Sequence, residues 1–252
     1  MTEQQPLKAR TDRGRSRNIT SYIFEDLGLA IVTGKYSHDR PFPVEAELCK
    51  IYAASRSVVR EAVKMLSAKG LLSSVPRQGT CVQPEQYWNL FDSELVQWLL
   101  ERKFSFSLLL EFTQIRAAIE PAAAALAAVS ADASNLEAME AALSRLAAAH
   151  RGEDDPLSSD IDFHIAVLHA SNNRFFWRLE ELIETALRYA IRMTNDVLGV
   201  EVAEVEEHQA VYDAIRRRDP AGAERAMRAI MEKALGLVRQ GSAKASAVAR
   251  AE

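Results

Sequence analysis

The stretch from Ser55 to Gln83 constrains the fold of this 252-residue chain more than any other. Ser55 is a good helix N-cap. Val59, Ala62, Val63 and Leu66 follow at i, i+3, i+4 and i+7, the core stripe of an amphipathic helix that runs to Lys69 and stops at Gly70. Two short segments come next, Leu71 to Pro76 and Thr80 to Gln83, joined by Arg77-Gln78-Gly79 in the pattern of a β-hairpin. Upstream, Asn18 to about Val32 carries apolar residues at Ile23, Leu27 and Ala30, one helical stripe ended by Gly34. Pro41 and Pro43 then break the chain, Val44 to Tyr52 reads as a short second helix, and Ala53-Ala54 make a tight connection. Helix, helix, tight turn, helix and hairpin in this order outline a winged helix-turn-helix.

Everything after the aromatic pair Tyr87-Trp88 reads as helix: Asp92 to Arg102, Ser107 to Val129, Ala131 to Arg151, Pro156 to Ser171, Arg174 to Leu198, Val202 to Arg218 and Ala221 to Gln240. The breaks fall at Asp154-Asp155-Pro156, Asn172-Asn173, Gly199 and Asp219-Pro220. No strand-like alternation interrupts these helices, and no repeat of domain-building length recurs. The expected fold is mainly α, with an N-terminal winged helix-turn-helix and a C-terminal antiparallel all-α bundle. The expected division is a flexible basic tail over 1–17, a winged helix-turn-helix over 18–83, a helical effector-binding and dimerisation domain over 84–240, and a flexible tail over 241–252.

The formal net charge of −4 argues at first against a nucleic-acid partner. Its distribution reverses that reading, because residues 1–83 hold 13 Lys+Arg against 8 Asp+Glu, and the acidic excess lies behind them. A basic front suits a protein that presents one end to a polyanion. The first seventeen residues, with Lys8, Arg10, Arg13, Arg15 and Arg17, read either as a disordered tail or as an arm along DNA phosphates. Cys49 and Cys81 form no CxxC pair and suggest no disulfide framework. The run Ala122 to Val129 is far short of a membrane span, and no secretory-type leader is visible, so a cytoplasmic protein is expected.

On the third helix, Arg56, Ser57, Arg60 and Lys64 lie opposite the core stripe. Arg56 and Arg60, four apart, project from one face near the N-terminal half. That half is the part of a recognition helix that enters the major groove, where arginine bonds guanine O6 and N7. Gly79 permits close approach of the wing backbone, and Arg77 can reach a phosphate or the minor groove. Taken alone, the helix reads equally as a surface helix with solvated arginines; its neighbours favour the DNA-binding reading.

Several spaced elements together resemble the DNA-binding domain of GntR-family regulators: Ile31-Val-Thr-Gly-Lys-Tyr, Pro43-Val-Glu-Ala-Glu-Leu48, Ser55-Arg-Ser-Val-Val-Arg-Glu-Ala62, Leu66, Gly70-Leu71 and Gly79-Thr80. The resemblance implies that Arg56, Arg60 and Arg77 contact double-stranded DNA, helped by Ser57. Some members carry arginine between the two acidic positions of the second helix, where this chain has Ala46, so that contact is expected to be absent.

In the rear half, Asp160-Ile-Asp-Phe-His164 puts a carboxylate and an imidazole four apart on a stripe shared with Leu157, Ile161 and Leu168. His208 lies on the apolar stripe of its own helix. Polar groups buried there need partners. Asp160, His164 and His208 converging would form a site for Zn²⁺, Mn²⁺ or Ni²⁺; an Asp–His core pair with an unrelated His208 fits the same spacing. The region resembles the FCD effector domain of FadR-type GntR regulators through Arg116-Ala-Ala-Ile-Glu120, Asp160…Phe163-His164, Asn173, Glu207-His208 and Ala214-Ile215…Asp219…Ala223. That resemblance implies that Asp160, His164 and His208 are metal ligands. The family's usual fourth ligand is a histidine where this chain has Ile230.

The same resemblance implies a small carboxylate or sugar acid as effector, with Arg116 pairing with its carboxylate and Arg188 as a second candidate. For Arg116 the plainer alternative is an i,i+4 salt bridge to Glu120. Asn89-Leu-Phe-Asp92…Leu95-Val-Gln-Trp-Leu99 and the missing fourth histidine resemble the aldonate branch, of galactonate type. Asp162 is expected on the pocket side, where a basic residue would suit an acid better. The expected protein is a homodimeric, non-enzymatic repressor that binds a palindromic operator and is released by the effector. A metal-dependent hydrolase or lyase on the bundle, and a DNA-binding protein without ligand control, are the alternatives.

Overall fold

A computed structural model describes residues 9–37, 39–75, 79–102, 106–198 and 204–248. The chain forms two compact units, Met1–Lys103 and Phe104–Glu252.

The first unit contains α1 (Ala9–Val32), α2 (Glu45–Ile51), α3 (Arg56–Ala68), β1 (Leu72–Val75), β2 (Gly79–Val82), a 3-10 turn (Glu85–Tyr87) and α4 (Ser93–Arg102). Ile23 and Leu27 of α1, Leu48 of α2, and Val59, Ala62 and Leu66 of α3 are fully buried, so the stripe read from the sequence is the core of the unit. Ala53 takes φ 49°, a left-handed turn residue that lets α3 leave α2 at once. Ser55 stands at the N-cap of α3, but its hydroxyl lies 3.0 Å from that of Ser57 and does not cap the helix. Gly70, at φ 76°, ends α3, and a Cβ there would meet the Tyr87 carbonyl at 2.3 Å. The hairpin pairs Leu72 with Val82 and Val75 with Gly79 in antiparallel register.

Helix α1 begins at Ala9, so the flexible tail expected over 1–17 is helical from that point; no proline or glycine pair interrupts it before Gly34. The unit also reaches past residue 83, where the sequence places the boundary. Trp88 is buried with its Nε1 donating to the Gln83 carbonyl at 2.9 Å, and Asn89 N–H donates to the Lys69 carbonyl. Trp98 of α4 lies 5.1 Å from Phe24 of α1, ring to ring, and a Cβ on Gly28 would stand 2.3 Å from the Trp98 ring. Lys69 finishes this junction, reaching Asp92 at 2.5 Å and Glu94 at 3.0 Å with its ammonium over the Phe24 and Trp98 rings.

Among its described residues the second unit's regular elements are all helices: α5 (Phe106–Ser130), α6 (Ala133–His150), α7 (Pro156–Ala170), α8 (Arg174–Trp177), α9 (Glu180–Leu198), α10 (Val205–Arg216) and α11 (Pro220–Val248). Ala123, Ala124, Ala127 and Ala128 of α5 are fully buried, and Ala124, Ala127 and Ala128 belong to the cluster that holds Met227, Ile230 and Met231 of α11. Small residues on α5 make room for long ones on α11. Asp132 and Asn135 form a reciprocal cap on α6, and Asp155 with Pro156 begins α7.

Two helix ends differ from the sequence reading. The single helix expected over 174–198 is two, because the chain breaks at Arg178-Leu179 after a four-residue turn capped by Asn173. Helix α11 continues to Val248, so the tail expected over 241–252 is largely helical; Gly241 sits against Phe106, where a Cβ would come within 2.8 Å of the ring. Arg218, at φ 59°, donates to the carbonyls of Ala131 at 2.7 Å, Val129 at 3.3 Å and Ala128 at 3.4 Å, tying the exit of α10 to the end of α5.

Candidate metal centre and nucleic-acid face

Two helices of the second unit deliver the polar cluster. Asp160 and His164 lie one turn apart on α7, His208 lies on the second turn of α10, and all three are buried. His208 Nε2 is 3.0 Å from Asp160 Oδ1, and His164 Nε2 is 3.7 Å from the same oxygen. One ligand atom from each residue lies within 4.8 Å of the others. The rings of His164 and His208 meet nearly edge to face, with Phe163 edge-on to both.

Asp160 Oδ1, His164 Nδ1 and His208 Nε2 are buried with no aligned hydrogen-bond partner, short separations notwithstanding. For Asp160 Oδ1 and His208 Nε2 the cause lies at His208, whose Nδ1 stands 2.8 Å from the Glu204 carbonyl. A carbonyl only accepts, so the proton sits on Nδ1 and a neutral ring turns a bare Nε2 toward a carboxylate. Positive charge among these atoms removes the conflict, either a proton on His208 or a divalent cation. Burial opposes a charged His208, but the Asp160 carboxylate outweighs it and raises the pKa. Burial likewise opposes an ionised Asp160; His208 and His164 overcome it and hold the acid at about 2. The donor set of one carboxylate and two imidazoles fits Zn²⁺, Mn²⁺ or Ni²⁺. Ile230 is 7 % exposed within the apolar core and offers no fourth ligand.

A residue that the sequence reading treats only as a salt-bridge partner joins this centre. Glu120 of α5 is 1 % exposed, and its Oε2 lies 2.6 Å from His164 Nδ1. Arg116 grips both of its oxygens, with Nε to Oε1 at 2.5 Å and an Nη to Oε2 at 3.3 Å. Burial alone would keep Glu120 neutral, yet Arg116 and His164 hold its pKa at about 2. Arg116, expected to meet an effector carboxylate, is 3 % exposed and already carries this carboxylate. The signal was the i,i+4 spacing of Arg116 and Glu120, which a surface pair shares.

Arg188 stands apart from the cluster, exposed and paired with Glu184 at 2.7 Å. Asp162 faces away from it as well, exposed and paired with Arg145, which also holds Asp154 at 3.0 Å.

In the first unit, Arg56, Ser57, Arg60 and Lys64 are exposed along one side of α3. Arg60 lies 3.9 Å from Glu45 of α2, a loose pair that leaves its side chain 62 % exposed. Ala46 is exposed on α2. Gly79 opens β2 at φ 85° with open space where a Cβ would stand. Arg77 lies outside the described residues.

Residues 19–82 match the model of the bacterial regulatory proteins of the gntR family, and residues 111–233 match the FCD domain. The chain is 35 % identical to the galactonate operon transcriptional repressor of Escherichia coli (strain K12), over 83 % of this chain and 92 % of that protein. It is 30 % identical to the HTH-type transcriptional regulator LutR of Bacillus subtilis (strain 168), over 71 % of this chain and 83 % of that one. A solved structure of Lar, which controls the agr system of Listeria monocytogenes, shares the fold with a TM-score of 0.53 at 15 % identity, covering 95 % of this chain and 99 % of its own.

Proposed function

The chain belongs to the GntR family of bacterial transcription regulators, with an FCD domain behind its DNA-binding head, and from that premise we propose that it represses an operon for the breakdown of a small carboxylate or sugar acid. The buried Asp160–His164–His208 cluster, with Asp160 Oδ1 and His208 Nε2 unsatisfied toward each other, carries the sensing half of this reading. A DNA-binding protein without ligand control has no use for two polar atoms held unpaired against each other in a core, where each costs roughly 1–3 kcal/mol.

Asp160, His164 and His208 would hold a divalent cation. Such an ion supplies a Lewis-acid point that attracts carboxylate and hydroxyl oxygens. With Ile230 where a fourth ligand would stand, the protein leaves coordination positions for the effector's own oxygens. Arg116 acts behind this centre through Glu120. A sugar acid as effector rests on the similarity to the galactonate operon repressor.

On the DNA side, Arg56, Ser57 and Arg60 enter the major groove, and the wing around Gly79, with Arg77, follows the backbone. A homodimer reading a palindromic operator in the cytoplasm completes the proposal. Effector releases DNA only if it binds better to a state whose two heads no longer match the half-sites. Fluorescence anisotropy with the operator upstream of the chain's own gene neighbourhood, repeated with divalent metal and a series of aldonates, tests this. The expected result is tight binding lost on addition of one acid; binding retained with every acid overturns ligand control.

A further inference from the structure

An imidazole offers a lone pair from one nitrogen only while the other holds the proton, so each histidine ligand needs something to fix its tautomer. For His208 that is the Glu204 carbonyl, 2.8 Å from Nδ1. For His164 the group beside Nδ1 is Glu120, whose Oε2 lies 2.6 Å away, while Nε2 faces Asp160 Oδ1 at 3.7 Å. The two rings are thus arranged alike, each with an acceptor at Nδ1 and Nε2 toward Asp160.

We propose that Glu120, clamped by Arg116, is a positioning residue of the metal centre: it holds the proton of His164 on Nδ1 and leaves Nε2 as the ligand atom. This rests on the metal reading above. A carboxylate beside Nδ1 favours the tautomer that turns an N–H dipole toward it and penalises the one that turns a lone pair. The contact is off the N–H line, so its force is charge on dipole, and in a dry interior that force is weakly screened. Arg116 keeps Glu120 in place by holding both oxygens. The same grip keeps Glu120 from serving as the ligand that Ile230 fails to supply. Glu120 therefore acts on the metal only through His164.

The test uses full-length protein stripped of metal, then titrated with Zn²⁺, alongside ¹⁵N-histidine spectra that report which ring nitrogen is protonated. Two variants are compared. E120Q keeps the shape but cannot accept from Arg116 and from His164 at once. R116M/E120L replaces the buried pair by apolar side chains, a change that proteins often tolerate without loss of stability. In the wild type, His164 is expected to be protonated on Nδ1. In both variants that preference is lost and zinc affinity falls about 10–100-fold, while the His208 tautomer stays as it was. An unchanged His164 tautomer in R116M/E120L overturns the proposal, whether zinc affinity falls or not, because the pair then acts only through the fold. A wild type that takes up no Zn²⁺, Mn²⁺ or Ni²⁺ overturns the metal reading instead, and the metal-free tautomer spectrum tells the two failures apart.

Discussion

His208 Nε2 and Asp160 Oδ1 face each other at 3.0 Å, each buried and without an aligned partner. A cation between such atoms adds stability that the metal-free protein lacks. At a free metal concentration of one hundred times Kd, the folded state gains about 2.7 kcal/mol. Calorimetry should show the second unit of the wild type melting several degrees higher with Zn²⁺, Mn²⁺ or Ni²⁺. D160A and H208A should melt at a temperature indifferent to all three; a wild type equally indifferent would count against the site.

Acid and base should erode the metal-free protein through different groups. Glu120 and Asp160 have folded values near 2, below the unfolded range of about 4. Their stabilisation is present above pH ~4 and disappears as pH falls toward 2. His208 is shifted the other way; its contribution is complete below its unfolded value of about 6.5 and is lost as pH rises through the raised folded value. Melting temperature against pH should therefore peak between those limits. H208Q should flatten the high-pH side, and R116M/E120L should lessen the acid side. A flat profile in the wild type contradicts both signs.

Arg56 and Arg60 are exposed, and among the described residues Arg60 has only its loose pair with Glu45. R56A and R60A should leave circular dichroism and melting unchanged while weakening operator binding by about 1–3 kcal/mol each. If the arginines read bases, the loss is specific to sequence at one operator position. Equal loss on operator and random DNA for R56A and R60A would reduce them to phosphate contacts.

Arg218 closes the end of α5 with three carbonyl contacts from a left-handed backbone position. R218A loses these charge-assisted bonds, so urea unfolding of the second unit should show a loss of about 1–3 kcal/mol. R218G relieves the backbone and should lose less than R218A. The reverse order would place the whole effect outside the backbone.

The head of the molecule was legible because its signals are local. Val59, Ala62, Val63 and Leu66 set a helical period, Gly70 stops it, and the hairpin follows within a few residues. The separation at Arg178-Leu179 was not legible, since neither residue breaks a helix. Nor could Trp88 and Trp98 announce which core they join, because hydrophobicity says that a ring is buried and not against what. Asp160, His164 and His208 stood out as polar residues on apolar stripes. Glu120 did not, because Arg116 four residues earlier made it look like half of an ordinary surface pair. Only the third dimension shows that His164 stands on its other side.

Gly28 and Trp98 lie seventy residues apart in sequence, yet any side chain on the first would pass through the ring of the second. Neither position can therefore drift alone. A larger residue at 28 is tolerated only after the indole has been exchanged for something smaller, and a smaller residue at 98 opens a hole until 28 grows to fill it. Lineages descended from this protein should show the two substitutions as a pair or not at all, a dependence that records in ancestry how firmly α4 is joined to the DNA-binding head.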